Sequence, residues 1–145
     1  MIRLERISEV NYKECLALSV SKEQEDFIST NAYSLAKAYV YYNTVTPFAV
    51  YADDTMIGFM LLRYHEARSW YIIWQFMIDH RYQRRGYGRQ AILLAIDWMK
   101  KDKNCKQIAL AYAEGNIGAE KLYTGLGFKQ FGEIVDGEID MVLDL

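Results

Sequence analysis

The strongest constraint on what this chain can fold into is a change of hydrophobic period near Asp79. Before it, "PFAVYADDTMIGFMLLRY" reads as two strands around an Asp53-Asp54 turn, and "SWYIIWQFMI" as a long buried strand rich in β-branched and aromatic residues. After it, the polar run "DHRYQRRGYG" leads into "RQAILLAIDWMKK", where Ile92, Ala95, Ile96 and Met99 recur at helical spacing. "QIALAY" is then a strand, Asn116 to Leu126 a helix stopped near Gly127, and "FKQFGEIVDGEIDMVLDL" a hairpin turning at Asp136-Gly137. A meander followed by a β-α-β-α unit and a hairpin implies an α/β domain with a mixed sheet.

The first half fits the same plan. "IRLERI" alternates as a strand, "YKECLALSV" suits a short helix, "VSKEQEDFISTN" is polar and acidic, and "SLAKAYVYY" is helical with Ser34 as its N-cap. One proline, Pro47, and no repeat or low-complexity tract leave no linker, so residues 1–145 are expected to form one domain. A net charge of −2 gives no field for nucleic acid. No leader or membrane-spanning stretch is read, and a cytoplasmic protein is expected. Cys15 and Cys105 lie far apart, and neither His65 nor His80 sits in a metal-ligand frame, so reduced thiols and no metal are expected.

"QRRGYGRQA", Gln83 to Ala91, places three arginines and two glycines immediately before the apolar helical run. That helix has no acid until Asp97, and Arg89 stands where the positive end of a helix normally favours Asp or Glu. A bound anion would account for this, since the N–H groups of a glycine-bearing turn approach phosphate oxygens closely. A basic surface loop that merely turns tightly fits the spacing equally well. The P-loop frame GxxxxGK[ST] is absent. Gly86 to Ala91 matches the dinucleotide frame GxGxxA, but a polar loop, Asp79 to Arg85, separates it from its strand, and paired βαβ halves are missing.

A third frame, Q/R-x-x-G-x-G/A, is met by Gln83-Arg84-Arg85-Gly86-Tyr87-Gly88, and a second pattern follows in "NIGAEKLYTGLGF" with Asn116, Ala119 and Tyr123, ending in Gly127-Phe128. Alone, that segment reads as a plain amphipathic helix capped by Asn116. With both motifs in order, the chain resembles the GNAT superfamily of acetyl-CoA-dependent N-acetyltransferases over essentially its whole length. The resemblance implies a mixed, mostly antiparallel, splayed central sheet flanked by helices. It implies CoA held by Gln83, Arg84, Arg85, Gly86, Tyr87, Gly88 and Arg89 at the pyrophosphate, and by Asn116, Ala119 and Tyr123 along the second helix. Backbone N–H groups of Phe76-Met77-Ile78 would polarise the thioester carbonyl.

Direct transfer needs no enzyme nucleophile, which suits a sequence without a Cys/His or Ser/His pair. By resemblance Tyr123 is the general acid for the departing thiolate, and a phenol of ordinary pKa near 10 is protonated at neutral pH. Asp79 is either a relay carboxylate or the partner of a local ion pair, and the base stays unassigned. The quoted first-half segments and "WQFMIDHRYQRRGYG" resemble the bacterial spermine/spermidine acetyltransferase branch, which implies a polyamine acceptor lined by Gln24 and Phe27. Glu23, Glu25 and Asp26, with Tyr33, Tyr39, Tyr41 and Tyr42, would attract a polycation, or else form a solvated face and rim or homodimer contacts. One departure is Gln75, where relatives often place an arginine. Acetylation of a protein N-terminus, a lysine or an aminoglycoside, and a non-catalytic CoA-binding module, are the competing readings.

Overall fold

Antiparallel pairing builds the first half of the sheet. In the computed structural model, which describes residues 1–145, β1 (Ile2–Arg6), β2 (Val45–Ala52), β3 (Thr55–His65) and β4 (Trp70–Ile78) pair in that order. The turn between β2 and β3 places Asp53 at φ 52°, a left-handed conformation that aspartate tolerates. The helix α3 (Tyr87–Lys100) then returns the chain across the sheet, so β5 (Gln107–Ala113) joins β4 in parallel. α4 (Ile117–Gly125) precedes a two-residue β6 (Lys129–Gln130), and β7 (Glu138–Asp144) pairs with β5, giving the order β1-β2-β3-β4-β5-β7-β6. The hairpin turn has both Asp136 (φ 51°) and Gly137 (φ 75°) left-handed, as a tight two-residue turn requires.

Each face of the sheet carries its own apolar core. Ala91, Ile92, Ala95, Ile96 and Met99, the helical stripe of α3, pack against Val50, Met60, Leu62 and Ile108. On the other face α1 (Tyr12–Ala17) and α2 (Asn31–Val40) press Cys15, Leu18 and Ala38 onto Ala49, Phe59, Leu61 and Met77. Burial pushes the Cys15 thiol up to about 11, so it behaves as a packed apolar group. This second core contains no residue of β5 or β7.

Two helix starts differ from the sequence reading. α2 is capped by Thr30, whose side-chain oxygen accepts from the Tyr33 N–H at 3.1 Å, while Ser34 lies buried inside the helix. Asn31 sets the earlier start by donating its side-chain amide to the Cys15 carbonyl at 3.0 Å. α3 begins at Tyr87, with Gly86 as N-cap at φ 80°. The acidic run is itself structured: Lys22–Phe27 form a 3-10 helix closed by the Ser21 N–H on Gln24 Oε1 at 3.3 Å.

The decisive irregularity lies in β4. Its pairing with β3 runs from Gly58↔Ile78 to Leu61↔Gln75 and then shifts so that Leu62 meets Ile73, leaving Trp74 as an extra residue. The parallel ladder to β5 spans Trp70↔Gln107 to Ile73↔Leu110 and stops at that bulge. A bulge bends and over-twists its strand, so beyond it β4 leaves β5 and a wedge opens between Trp74–Ile78 and Ala111–Ala113. On the opposite edge β4 stays tight to β3. A Cβ at Gly58 would lie 2.5 Å from the Met77 carbonyl oxygen and 2.8 Å from Ile78 Cδ1, so only glycine fits there.

Candidate active site

Two clefts meet in the wedge. One, of about 580 Å³, runs along it between Trp74 and Gln75 of β4 and Ala111 and Ala113 of β5. The other, of about 460 Å³, lies at the end of β4 over Gln83, Arg84, Gly86 and Gly88. Phe27, Ile28, Phe76, Asn116, Ala119 and Tyr123 line both. Asn116 and Tyr123, two helical turns apart, thus share the face of α4 that closes the junction.

The turn before α3 has the chemistry of an anion seat. Arg84 (φ 62°) and Gly86 (φ 80°) are both left-handed, an alternation that turns successive main-chain N–H groups to one side. Helix α3 has no side-chain cap and no acid in its first turn. Its first intrahelical donor is Gln90, to the Gly86 carbonyl at 3.3 Å, so the N–H groups of Tyr87, Gly88 and Arg89 lack helical acceptors. Arg84 lines the cleft. Arg89 instead reaches the Gly125 carbonyl at 3.4 Å, the negative end of α4, and Arg85 reaches the Arg81 carbonyl at 3.4 Å. The basic helix start therefore has a protein partner for Arg89 as well as a seat for an anion.

Gln83 braces the turn. Its Nε2 donates to the Ile78 carbonyl at 2.8 Å and to Gln24 Oε1 at 2.9 Å, and Gln24 Nε2 donates back to Gln83 Oε1 at 3.1 Å. This reciprocal amide pair joins the 3-10 helix to the turn and places Gln24 in the cleft over the turn rather than along the wedge. Phe27 reaches both clefts, whereas Glu23, Glu25 and Asp26 line neither. Tyr33, Tyr39, Tyr41 and Tyr42 line neither and are solvent-exposed.

Main-chain direction in β4 follows from one bond. The Asp79 N–H donates to the Ile57 carbonyl on β3 at 2.7 Å. Alternation then points the Met77 N–H to β3 and those of Phe76 and Ile78 into the wedge. Opposite them stands Tyr123, 7% exposed, packed edge-on against Phe128 at 5.7 Å and tilted against Tyr112 at 6.5 Å. Burial pushes its phenol well above the ordinary value, so it stays a neutral donor at any working pH.

Asp79 is the partner of an ion pair. Its carboxylate meets Arg81 Nε at 2.8 Å and accepts the main-chain N–H groups of Arg81 and Ser19, each at 3.0 Å. Burial raises its pKa, but the Arg81 guanidinium and the two N–H donors outweigh that and hold it below the usual carboxylate range. With both oxygens engaged it fastens the loop after α1 to the end of β4. Gln75 does a similar job, donating to the Ser29 carbonyl at 2.7 Å and tying β4 to the segment before α2.

The acids that do line the wedge are Glu138 and Asp140 on β7, opposite Ala113 and Ala111 of β5. Their signal in the sequence was the alternation "GEID" after the Asp136-Gly137 turn, which sends both to one face. Placing them at the wedge required knowing that β7 inserts beside β5.

A bulge-opened pair of parallel strands, an anion-seating turn and a neutral phenol at their junction define an acyl-transfer fold. A model of the acetyltransferase (GNAT) family matches residues 10–128, and the chain belongs to that family. It is 31% identical over 153 residues to a spermine/spermidine N(1)-acetyltransferase of Bacillus subtilis, covering 99% of each chain. A spermidine N-acetyltransferase from Vibrio cholerae, solved with CoA and spermine, superposes with a TM-score of 0.81 at 19% identity, over 99% of this chain and 95% of that one. An aminoglycoside acetyltransferase, AAC(6')-Ib, solved with coenzyme A, superposes with a TM-score of 0.82 at 13% identity over the same shares. Likeness of fold therefore does not choose the acceptor. No helix is long and apolar enough to cross a membrane.

Proposed function

We propose that residues 1–145 act as one cytoplasmic N-acetyltransferase domain that moves acetyl from acetyl-CoA to a primary amine of a polyamine in a ternary complex. The observation that carries this reading is the meeting of the two clefts at Tyr123, which gives a donor and an acceptor separate approaches to one point.

The donor's pyrophosphate is taken by the left-handed turn, through the free N–H groups at the start of α3 and Arg84. Its acyl arm enters the wedge, where the Phe76 and Ile78 N–H groups point at the position of the thioester oxygen and stabilise the oxyanion as it forms. The amine attacks the carbonyl carbon, the C–N bond forms, and the C–S bond breaks. Tyr123 gives its proton to the departing sulfur, the amide nitrogen sheds its extra proton to solvent, and the phenolate regains one from solvent before the next turnover. The attacking amine must be neutral, and at pH 7 only about one alkylamine in 2500 is. Trp74, Phe27 and Ile28 on the walls disfavour the charged form.

Two lines support a polycationic acceptor. Glu138 and Asp140 face the reacting end of the wedge, and the Bacillus subtilis relative named above, alike over its full length, is a spermine/spermidine N(1)-acetyltransferase. The test is acetyl-CoA consumption over spermine, spermidine, putrescine, lysine peptides and aminoglycosides. Selective turnover of spermine or spermidine is expected. Selective turnover of a peptide or aminoglycoside would overturn the acceptor, and no turnover with any amine would overturn the catalytic reading.

A further inference from the structure

The cleft along the wedge changes sign from end to end. Glu138 and Asp140 lie beside the splayed part of β5, at Ala113 and Ala111, whereas His65 and Arg68 line the far end, where Trp70 of β4 is level with Gln107 of β5, and Lys37 lines the wall at Trp74. Six extended residues separate Gln107 from Ala113, about 20 Å along the strand. Arg63 stands two residues before His65 on the same face of β3. Its guanidinium lies 4.8 Å from the Trp74 ring centroid, and the Lys37 ammonium lies 4.0 Å from the same centroid.

Lys37, Arg63 and Arg68 lack anionic partners: the chain's ion pairs are Met1–Asp53, Arg3–Glu5 and Arg81–Asp79. Two nitrogens of the group, Arg63 Nε and His65 Nδ1, are buried without any hydrogen-bond partner. Buried polar atoms are nearly always satisfied, and two unsatisfied ones on one strand face mark a place for a polar partner, an acceptor in the case of Arg63 Nε. The cluster is also under electrostatic strain: burial and then the charge of Arg63 lower the Lys37 pKa. Stacking on Trp74 offsets part of this repulsion and supplies no hydrogen-bond acceptor in the plane of the guanidinium.

We propose that the basic wall of the acceptor cleft, from Trp74 to Trp70, is a subsite for a carboxylate or phosphate group, held by Lys37, His65 and Arg68 beside Arg63. The group is either a free anion or the acidic end of the acceptor itself. The subsite stands on the cleft's geometry, and only its coupling to polyamine rests on the function proposed above. A polyamine lying along the cleft brings its distal ammonium toward these cations. A free anion between them removes the repulsion, so anion and polyamine favour each other's binding, by the same factor in both directions.

The direct test titrates inorganic phosphate into CoA-saturated protein by calorimetry, so that the turn before α3 is already filled. Saturable binding is expected, weakened about tenfold in Lys37→Met and in Arg68→Gln, since each removes one charge-assisted contact. An exposed control, Lys103→Met, should leave the isotherm unchanged. No binding, or binding indifferent to Lys37 and Arg68, overturns the subsite.

The kinetic arm distinguishes the sources. With ionic strength held by chloride, a free-anion subsite predicts that phosphate lowers the KM for spermine. It also predicts that Lys37→Met/Arg68→Gln has a lower KM than the parent without phosphate and no response to it. Damage to the cleft would raise KM instead. If the acceptor supplies the group, a five-residue peptide with a free N-terminal amine and a C-terminal glutamate is acetylated without phosphate, phosphate competes with it, and the double variant loses that turnover. An absence of phosphate effects on both acceptors overturns the coupling. Failure of spermine turnover alone leaves the phosphate isotherm standing, so loss of the polyamine reading and loss of the subsite are separate results.

Discussion

Replacing Gly58 with alanine tests whether the close approach of β3 to the end of β4 is what holds the catalytic main chain in place. The added methyl would sit 2.5 Å from the Met77 carbonyl oxygen, and contacts under 3.0 Å essentially never occur. One backbone must therefore retreat by at least about half an ångström. That carbonyl cannot simply swing aside, because the alternation that sends the Phe76 and Ile78 N–H groups into the wedge directs Met77 to β3. The retreat moves the whole end of β4. Overpacking of this kind costs about 1–3 kcal/mol, equivalent to roughly 3–10 °C in melting temperature for a chain of this size. Misplacing the two N–H groups by a fraction of an ångström should lower kcat by roughly ten- to a hundredfold. Differential scanning calorimetry and acetyl-CoA consumption read the two effects. An alanine variant that melts within about 1 °C of the parent and retains its kcat would show that the strand pair yields at no cost, and would refute the reasoning.

Three further outcomes follow from the site. Tyr123→Phe should lower kcat by roughly a hundredfold or more while leaving the acetyl-CoA dissociation constant within about twofold, the split expected of a general acid; because burial raises its pKa, the parent should show no loss of kcat from Tyr123 as pH rises from neutral to its ordinary value near 10. Arg84→Ala should weaken acetyl-CoA about tenfold by calorimetry, with a smaller effect from Arg89→Ala because that side chain reaches Gly125; equal effects would return Arg89 to the anion seat. Asp79→Asn should destabilise the fold by about 1.5–3 kcal/mol at neutral pH. Its folded pKa lies below the unfolded value, so the Asp79 contribution is complete above about pH 4 and drains away as pH falls through the folded pKa; chemical denaturation at pH 7 and pH 3 should show parent and variant converging, and a constant gap would argue against the ion pair.

Local chemistry was legible wherever one segment decides its own structure. The stripe of α3, the Asn116 cap and the Asp136-Gly137 turn each rest on residues close in the chain, and all three stand as read. Ser34 fits a helix start by its spacing, but the Asn31 bond to Cys15, which fixes the actual start at Thr30, spans sixteen residues. The acidic run misled in another way. Its charge was visible, but whether Glu23 or Glu25 reaches a cleft depends on how the 3-10 helix docks, and Gln24 is the residue that turns inward. Glu138 and Asp140 were legible as a strand and illegible as site residues, since their place beside the wedge comes from strand order. The bulge at Trp74 leaves no mark in "SWYIIWQFMI", where every position suits a strand.

The seam between β4 and β5 is short, with register pairs only from Trp70↔Gln107 to Ile73↔Leu110. Above it the two halves of the sheet stand apart like the sides of an arch without its keystone. A donor lodged there bridges them, so occupancy adds RT ln(1 + [L]/Kd) to their resistance to parting, about 2.7 kcal/mol at a hundredfold excess over Kd. Amides on both flanks of the opening should then exchange hydrogen more slowly together, and the enzyme between turnovers would be mechanically the softer object.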